Sequence, residues 1–268
     1  MTARLHHERI VHDDGTPARW LALTHGFFGA GSNWRSIARK LTAARPEWGV
    51  LLFDLRQHGR SEPGEPPHTI AACAEDVRAL LAEVGGVVAL GGHSFGGKVV
   101  LAARPVVDVA QTWVLDASPS RGRDRQDDPD NTVVRVLAMM ERAPKHWAHR
   151  EDFVQAVVAD GHDVGLARWL AMNLVADSAG GATLRLDLGA LREMLASYYA
   201  TDLWAALEAP GGDVEVVVAT KSATVSAADR GRLAAAPAHV HVHEVATGHW
   251  LHMEAPQQVV DLLAARLP

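Results

Sequence analysis

The chain has 268 residues, 48% hydrophobic and 22% charged, an ordinary globular composition with room for one large α/β domain or a core with a modest insertion. A formal net charge of -6 and a pI of about 6.2 give no positive field for nucleic acid, and no basic run interleaved with aromatics changes that. Cys73 is the sole cysteine, so an intrachain disulfide is excluded; the opening residues MTARLHHERIVHDDG lack the apolar stretch of a signal peptide, and no apolar run has the length of a membrane span. A cytoplasmic protein with neither nucleic-acid nor membrane partners is expected.

In chain order, β-rich runs alternate with helical patterns, the signature of a mostly parallel sheet. Strands are predicted at Leu5–Val11 and Trp20–Thr24, a helix at Trp34–Ala44, a strand at Val50–Leu55 and a helix at Ile70–Glu83. A strand at Val87–Gly91, a helix at Gly96–Ala103 and a strand at Thr112–Leu115 follow. From Pro119 to about Leu207 no strand pattern is found. That segment opens with the polar stretch SPSRGRDRQDDPDN and continues with amphipathic helical patterns near Val133–Arg142, Arg150–Ala159, Leu166–Val175 and Leu188–Tyr199. The rhythm resumes with a strand at Val214–Ala219, a helix at Ala227–Ala235, a strand at Val240–Val245 and a helix at Pro256–Arg266. The expected architecture is an α/β core of residues 1–118 and 208–268, its sheet flanked by helices, with residues 119–207 as a helical lid over one end. A separate helical domain is the other reading of that insertion.

Gly92-His93-Ser94-Phe95-Gly96-Gly97 matches the G-x-S-x-G elbow, with the strand VVAL before it and the helix KVVLAA after it. This context makes Ser94 the candidate nucleophile, against the plainer reading of a turn serine capping a helix. His25-Gly26-Phe27-Phe28-Gly29 follows the strand WLALT. Acyl transfer puts negative charge on a carbonyl oxygen, and N–H donors must already face it. The backbone N–H groups of Phe27 and Phe95 are the candidates for that oxyanion hole. Of 15 histidines, His249, in Thr247-Gly248-His249-Trp250 between the last strand and the last helix, is placed to act as base, with His252 in reserve. His93 and His25 are read as packed or loop-shaping neighbours.

The triad acid is less direct. The turn after Val214–Ala219 reads Thr220-Lys221-Ser222-Ala223-Thr224 and has no carboxylate, while Asp213 lies at the wrong end of that strand. Asp116 ends the strand TWVLD at the same carboxyl edge as Ser94 and is preferred; Asp229, in a predicted helix, is the alternative.

HGFFG, FDLRQHGRS, GHSFGGK, LDASP and GHWLHMEAP, in that order, resemble the α/β-hydrolase superfamily across nearly the whole chain, and small YbfF-type bacterial esterases in particular. The resemblance implies a helical lid and an acid that both follow the sixth strand, which supports Asp116. It also implies hydrolysis of short and medium acyl esters and, in some members, acyl thioesters. Relatives with an aspartate nucleophile do not fit a serine at this position. The mechanism expected is an acyl-enzyme on Ser94, with no cofactor and no metal, acting on a small-molecule ester or thioester. A carbon–carbon bond hydrolase with the same triad and a slow-turnover ligand receptor are the alternatives; a scaffold that has lost a triad residue is not, since none is missing.

Pocket candidates are Phe28, Trp169, Tyr198 and Trp250, with Trp147 and Trp204 assigned to the lid core. His239, His241 and His243 alternate along one strand and are read as a solvated face rather than a zinc site, for want of a fourth ligand. The run Asp54 to Ser61 is read as a turn braced by its own polar groups, and Cys73 as packed in a helix.

Overall fold

Side chains that alternate across a pleated strand sort the apolar residues onto two faces of one sheet. The computed structural model describes residues 2–126, 128, 130–178 and 180–268; Asp127 and Pro129 of the polar stretch lie outside the described residues. Its first part comprises β1 (His7–Ile10), β2 (Arg19–Thr24), α1 (Arg35–Ala44), β3 (Trp48–Phe53), α2 (Ile70–Val84), β4 (Val87–His93), α3 (Phe95–Ala103) and β5 (Gln111–Leu115). The inserted segment contains α4 (Thr132–Arg142), β6 (His146–Trp147), α5 (Arg150–Ala159), α6 (Val164–Leu170), β7 (Leu174–Ala176), β8 (Ala182–Leu184) and α7 (Leu188–Ala200). α8 (Trp204–Glu208) carries the segment's end back to the core, and β9 (Asp213–Ala219), α9 (Ala227–Leu233), β10 (Val240–Val245), α10 (Leu251–Glu254) and α11 (Pro256–Arg266) follow.

Among the described residues the main sheet has seven strands in the order β1-β3-β2-β4-β5-β9-β10, with β1 antiparallel to β3 and the other pairs parallel. Strands β3 and β5 are buried along their whole length, as covered parallel strands must be. Ala22, Leu51, Phe53 and Leu90 meet Cys73 and Val77 of α2 and Val99 of α3 on one face. Leu21, Leu23, Val50, Leu52 and Trp113 meet Ile37 and Leu41 of α1 and Val259 and Leu263 of α11 on the other. The first cluster runs unbroken into the inserted segment through Val136, Met140, Phe153, Leu170 and Met194. Cys73 is part of that core, and burial pushes its thiol up to about 12, so it is packed rather than reactive.

Four sequence expectations are corrected. The insertion follows the fifth strand in chain order, not the sixth. The backbone ahead of β1 spends its hydrogen bonds elsewhere, Ala3 N–H on the Asp76 carboxylate, Arg4 N–H on Glu62 and His6 N–H on Ser61 Oγ, and adds no strand. The insertion is not strand-free, since β6, β8 and β7 form a small antiparallel sheet. Each has only two or three residues, too few for alternation to show. For the same reason the helix expected over Leu166–Val175 stops at Leu170. A 3-10 turn follows, Ala171–Asn173, and the chain then pairs with β8, fixed by Arg150 on the carbonyls of Ala171 and Leu174. Finally, His239, His241 and His243 are half-buried while Val242 and Glu244 are exposed. His243 covers the fully buried Glu215 carboxylate, which also pairs with Arg266.

Helix starts within the insertion follow elementary capping. The side chains of Asn131, Asp163 and Asp187 accept backbone N–H groups at the first turns of α4, α6 and α7. No helix of the described residues is long and apolar enough to cross a membrane.

Candidate active site

The carboxyl edge of the sheet brings three side chains together. Ser94, between β4 and α3, has φ 55° and ψ -118°, a left-handed conformation that a non-glycine residue adopts only under constraint. Its N–H donates to Leu115 O of β5 at 2.9 Å. The turn is tight enough that a Cβ on Gly92 would lie 2.2 Å from Gly96 O, and one on Gly96 would lie 2.3 Å from His25 O. Asp116 leaves β5 at φ 45°, its N–H on Val217 O and its carboxylate fully buried. Asp116 Oδ1 accepts Ala219 N–H at 3.1 Å, and Oδ2 lies 2.7 Å from His249 Nδ1. His249 Nε2 lies 2.9 Å from Ser94 Oγ. A carboxylate can only accept, so Nδ1 carries a proton, and in the neutral ring Nε2 presents a lone pair to the serine hydroxyl.

Asp229, the alternative acid, is elsewhere. It accepts the hydroxyls of Ser118 and Ser120 and caps α9 through Ser226.

Gly26–Gly29 closes a turn with Gly29 N–H on Gly26 O at 3.0 Å and Phe28 at φ 62°. Two buried histidines hold it. His58 Nδ1 donates to Arg56 O, which leaves Nε2 to accept Phe28 N–H at 3.2 Å. His25 Nδ1 donates to Gly26 O, and its Nε2 accepts Leu55 N–H at 3.1 Å. Burial pulls His58 down to about 3 and lowers His25, so both rings stay neutral and keep one acceptor nitrogen. With Phe28 N–H turned away to His58, the Phe27 side of the loop is the one beside Ser94. The Phe27 ring lies 5.2 Å from that of Phe95, whose N–H opens α3. The sequence placed His58 only in a self-braced turn. That turn is built from Asp54, whose carboxylate accepts Gly31 and Arg60 N–H groups, but its histidine also reaches into the neighbouring loop.

His93 and Thr224 also touch His249. His93 Nε2 donates to His249 O at 2.8 Å, and its ring lies 4.6 Å from that of His249. Burial, then the neighbouring His249 and His252, holds His93 well below the ordinary histidine value. Thr224 Oγ1 lies 3.1 Å from His249 Nδ1. The only sequence signal for Thr224 was a hydroxyl-rich turn where a carboxylate is usual. His252 points away, against Trp34 at 4.8 Å.

Ser94 and His249 open on two cavities. One, of about 860 Å³, is walled by Phe95, Tyr198, Ser120, Thr224 and Trp250 among others. The second, a slot of about 50 Å³, is lined mainly by Phe27, Phe28, Val133, Leu166, Trp169 and Trp250. All four pocket candidates therefore line one or both. Trp147 instead meets Phe153 edge-on, and Trp204 donates to Ser120 Oγ. Lys98, one helical turn past Ser94, is buried, and its Nζ donates to Ser120 O at 2.7 Å and Tyr198 O at 2.8 Å. Burial lowers it to about 8.

The parallel sheet, the serine elbow and the histidine loop define an α/β hydrolase, and the chain belongs to the alpha/beta hydrolase family, which it matches over residues 21–262. The motif resemblance to YbfF-type esterases holds as well: esterase YbfF of Escherichia coli (strain K12) is 25% identical over 251 residues, covering 90% of this chain and 89% of that protein. The sn-1-specific diacylglycerol lipase ABHD11 of Mus musculus is 27% identical over 260 residues, covering 92% of this chain and 80% of its own. Among solved structures, a marine microorganism esterase superposes with a TM-score of 0.84 at 19% identity, over 98% of this chain and 99% of that one.

Proposed function

We propose that this protein is a carboxylic ester hydrolase that works through an acyl-enzyme on Ser94. His249 takes the Ser94 proton as the hydroxyl attacks the ester carbonyl. The N–H groups of Phe27 and Phe95 receive the oxyanion, and Asp116 holds the imidazole in one tautomer and stabilises its charged form. His249 then protonates the leaving alcohol, and the same imidazole activates the water that frees the acid. The observation that carries this reading is the unbroken hydrogen-bonded line from Ser94 Oγ through His249 to Asp116, at 2.9 and 2.7 Å. Esterase and lipase relatives support it at the level of reaction class.

Residues 119–207 act as the lid in this reading, supplying Trp169 and Tyr198 to the two cavities, and the substrate is a small-molecule ester met in the cytoplasm. Carbon–carbon bond cleavage would use the same triad and need polar groups for a ketone. Ser118, Ser120 and Asp229 on the wall of the large cavity spend their hydrogen bonds on one another, but Arg121, Arg125 and Lys221 line it too, so it is the esterase and lipase relatives that favour the ester.

A panel of p-nitrophenyl esters of graded acyl length, with acyl thioesters alongside, tests the proposal. Rapid turnover of esters, lost in Ser94→Ala with the fold intact, is expected. Very slow turnover of every member, or stoichiometric fluorophosphonate labelling of a residue other than Ser94, rejects it.

A further inference from the structure

The turn after β9 carries hydroxyls where an acid would suit, and one of them meets the imidazole. His249 Nδ1 lies 2.7 Å from Asp116 Oδ2 and 3.1 Å from Thr224 Oγ1, so a single N–H faces two oxygens. Ser222 orders the threonine from its other side. Its Oγ donates to Thr224 Oγ1 at 3.0 Å and accepts Thr224 N–H at 3.1 Å. With one lone pair of Thr224 Oγ1 taken by Ser222, the other is available to the imidazole.

The turn itself is fixed. The Arg230 side chain donates to the carbonyl oxygens of Ala219, Ser222 and Val225 at 3.1, 3.3 and 3.2 Å. Lys221 N–H donates to Thr247 O at 2.9 Å, which ties the turn to the loop that carries His249 by a backbone bond two residues away. The separation of Thr224 from His249 is thus set by the frame and not by a free rotamer.

We infer that Thr224 is a positioning residue for His249, a second acceptor for the Nδ1 proton beside Asp116, and that position 224 can host a carboxylate that takes over from Asp116. The inference rests on the triad reading above. The imidazole becomes cationic in the transition state, its N–H then polarises more strongly, and both acceptors gain at that moment rather than when substrate binds. Loss of Thr224 therefore falls on kcat.

The test uses the full-length enzyme and p-nitrophenyl butyrate. Thr224→Val keeps the shape and removes the hydroxyl; kcat is expected to fall about five- to twentyfold with KM changed by less than about twofold. Thr224→Ser restores the hydroxyl and most of the loss. In the Asp116→Asn background, Thr224→Asp is expected to raise kcat by about tenfold or more. Parental kcat in Thr224→Val, or an equal loss in Thr224→Ser, overturns the positioning role. A folded Asp116→Asn/Thr224→Asp enzyme no faster than Asp116→Asn overturns the exchange of acids. Failure of the triad reading looks different, since Asp116→Asn would then keep near-parental activity.

Discussion

His93, the residue before Ser94, donates through Nε2 to the carbonyl oxygen of His249 at 2.8 Å, so the turn that presents Ser94 also anchors the loop that presents His249. Because a carbonyl only accepts, this bond requires a protonated Nε2, and burial keeps the ring neutral with Nδ1 bare. His93→Phe preserves a ring beside His249 and Trp34 but removes the donor. It is expected to lower kcat about tenfold with little change in KM, measured by steady-state kinetics on a short acyl ester. A parental kcat would show that the loop is held by its other contacts.

Asp116→Asn keeps the size of the side chain and favours the wrong imidazole tautomer. A loss in kcat on the order of 10²–10⁴ is expected, with the melting temperature nearly retained. Asp229→Asn should show the opposite division, a small change in kcat and a clear fall in melting temperature, because this buried carboxylate accepts two serine hydroxyls and caps α9. Reversal of the two patterns would exchange their roles.

Acid should weaken the fold through its buried histidines. Burial lowers His58 to about 3, His252 to about 4, and His93 well below the ordinary value of 6.5. Between those depressed values and 6.5 the unfolded chain binds more protons than the folded one, so stability is intact above about pH 6.5 and declines as pH falls toward 4. Thermal melts from pH 8 to 4 should record that decline. His252→Phe, which keeps a ring on Trp34 and removes an Nδ1 that has no partner among the described residues, should flatten it. A melting temperature constant from pH 7 to 4.5 contradicts this.

Trp169 lines the slot and meets Trp250 at 4.8 Å, while Tyr198 stacks on Phe95 in the larger cavity. Trp169→Ala and Tyr198→Ala are expected to change the ratio of kcat/KM between short and long acyl esters severalfold, with a smaller effect on fluorophosphonate labelling of Ser94. If neither substitution moves chain-length preference, residues 119–207 do not act as a selective lid.

The parts of this molecule written in periodic patterns could be read from its sequence. Alternating or continuous apolar runs gave every strand of the main sheet, and strand position together with the family resemblance favoured Asp116, which the structure places 2.7 Å from His249 Nδ1. What escaped was written in single contacts. Strands β6 to β8 exist because three short segments find one another, and the turn after Leu170 because Arg150 collects two carbonyls. His58 and Thr224 act across loops, through one imidazole lone pair and one hydroxyl, and no spacing in the chain announces either.

Lys98 grasps the carbonyl oxygens of Ser120 and Tyr198, one on each limb of the insertion, and the limbs are themselves joined where Leu203 N–H meets Pro119 O and Gly122 N–H meets Tyr199 O. At its two limbs the insertion is thus joined through main-chain atoms, which any side-chain repertoire can supply, while its underside is held by the apolar cluster that includes Val136, Phe153 and Met194. A foreign segment that offers the same two carbonyls at the same spacing and a matching apolar underside could be grafted here without rebuilding the helix behind Ser94. Such a socket lets the chamber above the serine diversify as an exchangeable cassette while the chemistry beneath it stays fixed.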